Sequence, residues 1–167
     1  INYLGHKIKK YLGNGSKLGV KIKYLEEKKP LGTAGSISLM KKFNTPIIVT
    51  NSDIISKIDF KEMIDAHKKN KSLLTIAAKV FYEKDNYGRI VANGNVVQKV
   101  IEKMEQNILI NTGIYILNPK IKKFIKNSTY LDMTDLVNRV IKEKMKINVF
   151  PIHEKWVDYG LNIKNIK

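Results

Sequence analysis

The sequence predicts an α/β fold built on a layered sheet, and three observations predict it. Continuous apolar runs such as Pro46–Val49 and Leu73–Ala78 have the composition of strands buried on both faces. Between them lie segments whose apolar residues recur three and four positions apart, which is helical spacing. Asn93-Gly94-Asn95, flanked by Arg89–Ala92 and Val96–Ile101, is a hairpin signal that inserts an antiparallel section. Strands alternating with helices point to a sheet with helices packed on it.

Each element can be justified in turn. Leu4, Ile8, Tyr11 and Leu12 recur at helical spacing, and Gly13-Asn14-Gly15 stops that helix. Val20, Ile22 and Tyr24 alternate with lysines, which predicts a half-buried strand broken by the polar run Glu26 to Pro30. Leu31-Gly32-Thr33-Ala34-Gly35 is a small-residue loop opening a short helix through Met40. Pro46 to Thr50 predicts a buried parallel strand, with Asn51-Ser52-Asp53 at its C-terminal end. Asp59 is placed to cap a helix running to about Lys69, with Phe60, Met63, Ile64 and His67 on one face.

Leu73 to Val80 predicts another buried strand, and Leu109 to Leu117 one interrupted by Asn111-Thr112-Gly113. Pro119 starts a short helix. Asp132 to about Lys144 predicts a longer one with Leu136, Val137, Val140 and Ile141 as its core stripe. Ile147 to Ile152 is a last strand leading into Trp156-Val157-Asp158-Tyr159-Gly160, and Leu161 to Lys167 reads as the stub of a further helix. No repeat or linker divides residues 1–167, whose length fits one domain.

Composition narrows the function classes. Hydrophobic residues make up 43% and charged residues 28%, ordinary for a globular protein. The apolar runs are far too short to span a bilayer. The first residues carry no signal-peptide pattern and no initiator Met, so the chain is expected to begin inside a longer protein or after a cut. With zero cysteines there is no disulfide framework and no thiolate metal site, and a reducing cytoplasm is the default location. The net charge of +16 raises nucleic-acid binding as a reading. Of the 31 basic residues, however, only Arg89 and Arg139 are arginines, and the lysines are scattered. Arginine is the usual bidentate reader of phosphate and guanine, so compositional bias is favoured over a nucleic-acid surface.

Chemistry is expected beyond the carboxyl ends of the strands. Gly32 to Gly35, Asp53 and Asp158 fall there. Two carboxylates on separate strand ends can share Mg²⁺, although an Asp after a strand is often only a cap or turn former. The glycine segment matches neither a P-loop nor a dinucleotide fingerprint, and such glycines also merely start helices. His6, His67 and His153 form no catalytic or metal pattern.

The order of seven short segments adds to this reading. They are Pro30 to Gly35, Asn51-Ser52-Asp53, Tyr87-Gly88, Glu102-Lys103, Asn111-Thr112-Gly113, Asp132-Met133-Thr134-Asp135-Leu136 and Trp156 to Gly160. In this order they resemble the sugar-phosphate nucleotidyltransferases, from Ile1 to about Asn162, and the mannose-1-phosphate guanylyltransferase-like branch in particular. The resemblance implies a Rossmann-like, three-layer α/β/α fold on a mostly parallel sheet, here without the family's first strand. It implies that Gly32, Thr33, Ala34 and Gly35 line the nucleotide's base. Asp53 and Asp158 would hold Mg²⁺, and Lys103 would meet the sugar phosphate. Gly88, Glu102, Asn111 and Gly113 would form the sugar pocket, and Trp156 would pack beside Asp158 or simply in the core. The implied partners are a nucleoside triphosphate and a sugar 1-phosphate, with neither nucleic acid nor membrane, and with a homo-oligomer as an open option.

Several residues depart from the family's pattern. Its N-terminal strand and Gly-Gly-x-Gly-Thr-Arg-type loop, which supply donors to the triphosphate, have no counterpart here. Met104 stands where Pro is usual, Ser52 where Gly is common, and Leu161-Asn162 where a polar turn is usual. The chain alone is therefore expected to turn over weakly or not at all, and its uncovered sheet surface to favour self-association. The alternatives are a non-catalytic nucleotide-sugar-binding remnant, a basic nucleic-acid-binding domain, and a glycosyltransferase. The last would show a closely spaced Asp-x-Asp, which Asn51 and Ile55 deny to Asp53.

Overall fold

The computed structural model describes residues 1–84, 87–102 and 105–160. Lys103, Met104 and the stretch 161–167 lie outside the described residues. In chain order the elements are α1 (Gly5–Leu12), α2 (Gly32–Gly35), β1 (Ile47–Thr50), β2 (Ile54–Ser56), α3 (Phe60–Lys69), β3 (Leu74–Lys84), β4 (Arg89–Asn93), β5 (Val96–Ile101), β6 (Glu105–Leu117), α4 (Met133–Lys142), β7 (Ile147–Ile152) and β8 (Trp156–Asp158). Short 3₁₀ turns cover Ser16–Leu18, Ser36–Leu39 and Pro119–Phe124. The expected α/β class and the inserted antiparallel hairpin, β4 with β5, are both present.

Two compact units divide the chain. The first comprises Ile1–Ile47, Lys71–Leu74 and Leu117–Ile147, and the second Ile48–Asn70, Thr75–Ile116 and Asn148–Lys167. Helices α1, α2 and α4 belong to the first. In α4 the buried residues are Met133, Leu136 and Val140, spaced to share one face. The expected stripe is thus corrected: Ile141, one position on and about 100° round the helix, is 56% exposed.

The second unit carries a sheet in the order β1-β6-β3-β7, the β2–β8 pair and the β4–β5 hairpin. Its core joins Ile58, Met63, Ala77, Ile114, Ile116 and Ile152, with Ile54, Ile64, Phe150 and Trp156 packed against them. Helix α3 contributes Met63 and His67 as its buried face, and the Asp59 carboxylate accepts the Glu62 N–H as its cap. Phe60, expected on that face, is 40% exposed in the first turn.

Other expectations change. The Val20–Tyr24 segment is not a strand. Its backbone turns back on the loop after α1: Val20 N–H donates to the Gly15 carbonyl and Ile22 N–H to that of Asn14. Alternation makes a strand only where a partner strand supplies the ladder. Strand β1 lies at an edge of its sheet and alternates half-buried with exposed residues, so it is not buried on both faces. Strand β6 runs through Asn111-Thr112-Gly113 without a break, although Gly113 takes φ +75°. No helix among the described residues is long and apolar enough to cross a membrane.

Candidate active site

The predicted residues fall into both units, and the glycines show what each local arrangement is for. In the first unit Gly32 has φ +75°, a conformation that disfavours any side chain. A Cβ there would come within 2.6 Å of the Leu131 carbonyl oxygen and 2.8 Å of Asp132 Oδ1. A Cβ at Gly35 would meet the Thr129 carbonyl oxygen at 2.6 Å. The N–H groups of Ala34 and Gly35 both donate to the Leu131 carbonyl, and Leu131 N–H donates to that of Leu31. Thr33 Oγ1 accepts the Met133 N–H at 2.8 Å, which satisfies a donor in the first turn of α4. The segment expected to line a base is therefore stitched along residues 129–133. Beside it lies a cavity of about 490 Å³ whose lining includes Lys28, Lys29, Leu31 and Leu39; its lysines went unnoticed in the sequence.

In the second unit β2 and β8 pair antiparallel, with Ile54 opposite Asp158. Asp53 immediately precedes β2, and Tyr159 N–H donates to its carbonyl at 2.9 Å. This register brings Asp53 and Asp158 to the same end of the ribbon. A Cβ on Gly160 would lie 2.6 Å from Asp53 Oδ2 and 3.2 Å from Asp158 Oδ1. The two oxygens are thus no more than about 6 Å apart, both close to where a Gly160 side chain would begin. Two like charges this close favour a cation near both. Among the described residues no group of three or more His, Asp or Glu could hold a metal. The pair suits Mg²⁺, which takes one or two carboxylates and completes its shell with water and phosphate oxygens.

Trp156 anchors the ribbon. Its indole N–H donates to the Thr112 carbonyl at 3.0 Å, and the buried Thr112 hydroxyl donates to the Ala77 carbonyl at 2.7 Å. The half-buried ring packs on the core, as the plainer of the two readings of Trp156 expects.

The residues expected to border a sugar form two groups in the second unit. Gly88 lies under Glu102: a Cβ there would sit 3.1 Å from the carboxylate Oε1. Asn111 and Gly113 meet directly, Gly113 N–H donating to Asn111 Oδ1 at 3.2 Å. Asn111 Nδ2 donates to the Tyr115 hydroxyl at 2.7 Å. Burial pushes the Tyr115 phenol above its ordinary value, partly offset by Asn111, so the hydroxyl stays protonated at neutral pH. Across Gly113 lies Asn51, whose Nδ2 is 2.7 Å from where a Gly113 Cβ would stand and whose N–H donates to the Gly113 carbonyl.

Sequence reasoning missed Tyr115, Asn51 and Gly160 as site residues. Tyr115 was findable, since residues four apart on a strand share a face. Gly160 was visible as the end of a quoted motif without an assigned role.

The chain matches the family model described as "Nucleotidyl transferase" over residues 1–164. It is 34% identical over 151 residues to mannose-1-phosphate guanyltransferase 2 of Candida glabrata and 35% identical over 151 residues to mannose-1-phosphate guanyltransferase of Saccharomyces cerevisiae. Each match takes in 85% of this chain and 42% of the relative, so the chain spans about two fifths of the length of these proteins. The crystal structure of HddC from Yersinia pseudotuberculosis complexed with GMP-PN superposes with a TM-score of 0.68 at 21% identity, covering 96% of this chain and 71% of that one. That likeness is one of fold. With the family model covering nearly every residue, the chain belongs to the nucleotidyl transferase family.

Proposed function

We propose that the full-length protein transfers a nucleotidyl group from a nucleoside triphosphate, with GTP favoured, to a hexose 1-phosphate. The products are a nucleotide-diphospho-sugar, destined for surface polysaccharide or glycan biosynthesis, and pyrophosphate. The observation that carries this reading is the meeting of Asp53 and Asp158 over Gly160 in a member of this family. The preference for guanine and a mannose-like sugar rests on the names of the yeast relatives.

The reaction asks little covalent chemistry of the protein. A phosphate oxygen of the sugar 1-phosphate attacks the α-phosphorus in line. A new P–O bond forms, the bond to the β-phosphate oxygen breaks, and pyrophosphate leaves with that electron pair. The attacking oxygen is already an anion, so no protein nucleophile and no strong base is needed. Positioning and charge neutralisation carry the rate. Mg²⁺ held by Asp53 and Asp158 would supply positive charge to the phosphates. Glu102 would accept hydrogen bonds from sugar hydroxyls above Gly88, and Asn111 with Gly113 would border the ring. Lys103 enters through the family resemblance alone, as the cation for the sugar phosphate. Gly32 to Gly35 would offer backbone to the base, and a cytoplasmic location would supply the triphosphate.

The test is turnover by the full-length protein with each of the four nucleoside triphosphates and a panel of hexose 1-phosphates, with Mg²⁺. Asp53→Asn and Asp158→Asn should each lower kcat by about 10²–10³-fold, the usual loss of a transition-state charge contact. Thermal stability should be kept. Undiminished turnover in both variants would overturn the assignment.

A further inference from the structure

We propose that Asn51 is the carboxamide that reads a hydroxyl of the sugar ring, with Asn111 acting as a positioning residue beside it. This rests on the function proposed above and adds a residue to its sugar site. Three observations carry it.

First, the polar groups of Asn111 are engaged within the chain. Its Oδ1 accepts the Gly113 N–H at 3.2 Å and its Nδ2 donates to the Tyr115 hydroxyl at 2.7 Å. Tyr115 is itself 4% exposed, so this clamp is fixed from the core side. One N–H and one lone pair remain on the Asn111 carboxamide, and the orientation of its plane is set by its two partners.

Second, Asn51 stands against the same strand without such engagement. Its backbone N–H donates to the Gly113 carbonyl at 3.0 Å, which fixes where its side chain starts. Its Nδ2 lies over Gly113, 2.7 Å from the place a Cβ would take. The residue is exposed, and no hydrogen bond joins its carboxamide to another described residue. It thus offers two donors and an acceptor to whatever comes against Gly113.

Third, the backbone is shaped around it. Gly113 holds φ +75° inside strand β6, where any other residue would be strained and would displace the Asn51 amide. Asn51 is also two residues from Asp53, so one short segment carries both the carboxamide and a member of the carboxylate pair. A carboxamide donates and accepts at once, which matches a sugar hydroxyl that does the same.

The experiment measures kcat/KM of the full-length protein for its preferred hexose 1-phosphate and for the mono-deoxy analogues at each ring position. Wild type, Asn51→Ala and Asn51→Asp are compared, with thermal unfolding as a control. Neither substitution adds bulk over Gly113, and the backbone bond to Gly113 survives both. The wild type should lose about two- to tenfold on one analogue, the range of a single neutral hydrogen bond. Asn51→Ala should lose about as much on the parent sugar and nothing further on that same analogue, while its losses on the others match the wild type's. Asn51→Asp, which keeps an acceptor of the same shape, should restore part of the discrimination. If Asn51→Ala turns over the parent sugar and still rejects every analogue as the wild type does, Asn51 reads no hydroxyl and the proposal fails while the transferase reading stands. If the wild type turns over no sugar 1-phosphate, the underlying reading fails and takes this one with it.

Discussion

Glycines in the two units make the same local allowance for different ends. At Gly32 and Gly35 in the first unit, the missing Cβ is replaced by the chain's own backbone, the carbonyl oxygens of Leu131 and Thr129 at 2.6 Å. At Gly88, Gly113 and Gly160 in the second, it is replaced by the polar ends of side chains: Glu102, Asn51 and the Asp53–Asp158 pair. Backbone cannot yield, so the first kind of glycine is a packing requirement. A side-chain end can swing, so replacing Gly88 or Gly160 costs little in stability and much in geometry, while Gly113 adds the strain of φ +75°. A glycine motif therefore says that something comes close, and only the identity of the neighbouring atom says whether that closeness serves folding or chemistry.

The sharpest way to break this comparison is to add one methyl group in each unit. Gly160→Ala would push Asp53 Oδ2 from a contact of 2.6 Å, and the carboxylates would rotate apart. A misplacement of about 1 Å at the reacting groups is worth roughly 10² in rate, so kcat should fall by about that factor while stability changes by less than about 1 kcal/mol. Gly32→Ala should do the reverse. It combines a strained φ with a backbone collision and should cost about 2–4 kcal/mol, read as a shift in the urea midpoint. Equal stability losses in the two variants would remove the distinction.

Trp156 sharpens the comparison within the second unit. Trp156→Phe keeps most of the ring but deletes the N–H that donates to the Thr112 carbonyl. That carbonyl belongs to a buried residue, and leaving it unpaired should cost about 1–3 kcal/mol. Because β8 also carries Asp158, the Mg²⁺ concentration giving half-maximal rate should rise in this variant. A purely packing role would lower the melting temperature and leave the Mg²⁺ dependence where it was.

Most of this fold was legible because periodicity reports burial. The spacing of Met63 and His67, the continuous run from Leu73, and Asn93-Gly94-Asn95 each predicted an element that formed. The failures share a cause. Val20 to Tyr24 alternates correctly but has no ladder to join, and Ile48 is 40% exposed on an edge strand that reads like a central one. Local pattern cannot report which neighbour a strand has. The site was legible as motifs and not as contacts. Asp53 with Asp158, Gly88 with Glu102, and Asn111 with Gly113 were assigned through the family's order, and each pair meets. Asn51 was quoted within the Asn51-Ser52-Asp53 segment without a role of its own. Its place depends on a contact 62 residues away in sequence, over a glycine whose φ no spacing rule predicts.

The smallest expected effect tests the buried face of α3 in the second unit. His67 is 2% exposed; its Nδ1 lies 2.8 Å from Thr75 Oγ1, and among the described residues its buried Nε2 has no partner. An orphaned acceptor is more tolerable than an orphaned N–H, so Nδ1–H donates to Thr75 and Nε2 carries the bare lone pair. Protonating Nε2 would place an unpaired charge in a buried position, and burial accordingly holds the His67 imidazole below its ordinary value. With the folded value lowered, the unfolded chain binds more protons at mildly acidic pH, and stability rises with pH in that window. This contribution is complete above the unfolded value near 6.5 and is lost as the pH falls from there through the folded one. Chemical unfolding at pH 7.5, 6 and 5 should show wild-type stability declining by up to about 1.4 kcal/mol per pH unit below 6.5. His67→Leu should flatten that slope whatever its stability at neutral pH. The same slope in both proteins would mean that the imidazole reaches water or a partner as it charges, and that the packing of α3 is looser than its burial indicates.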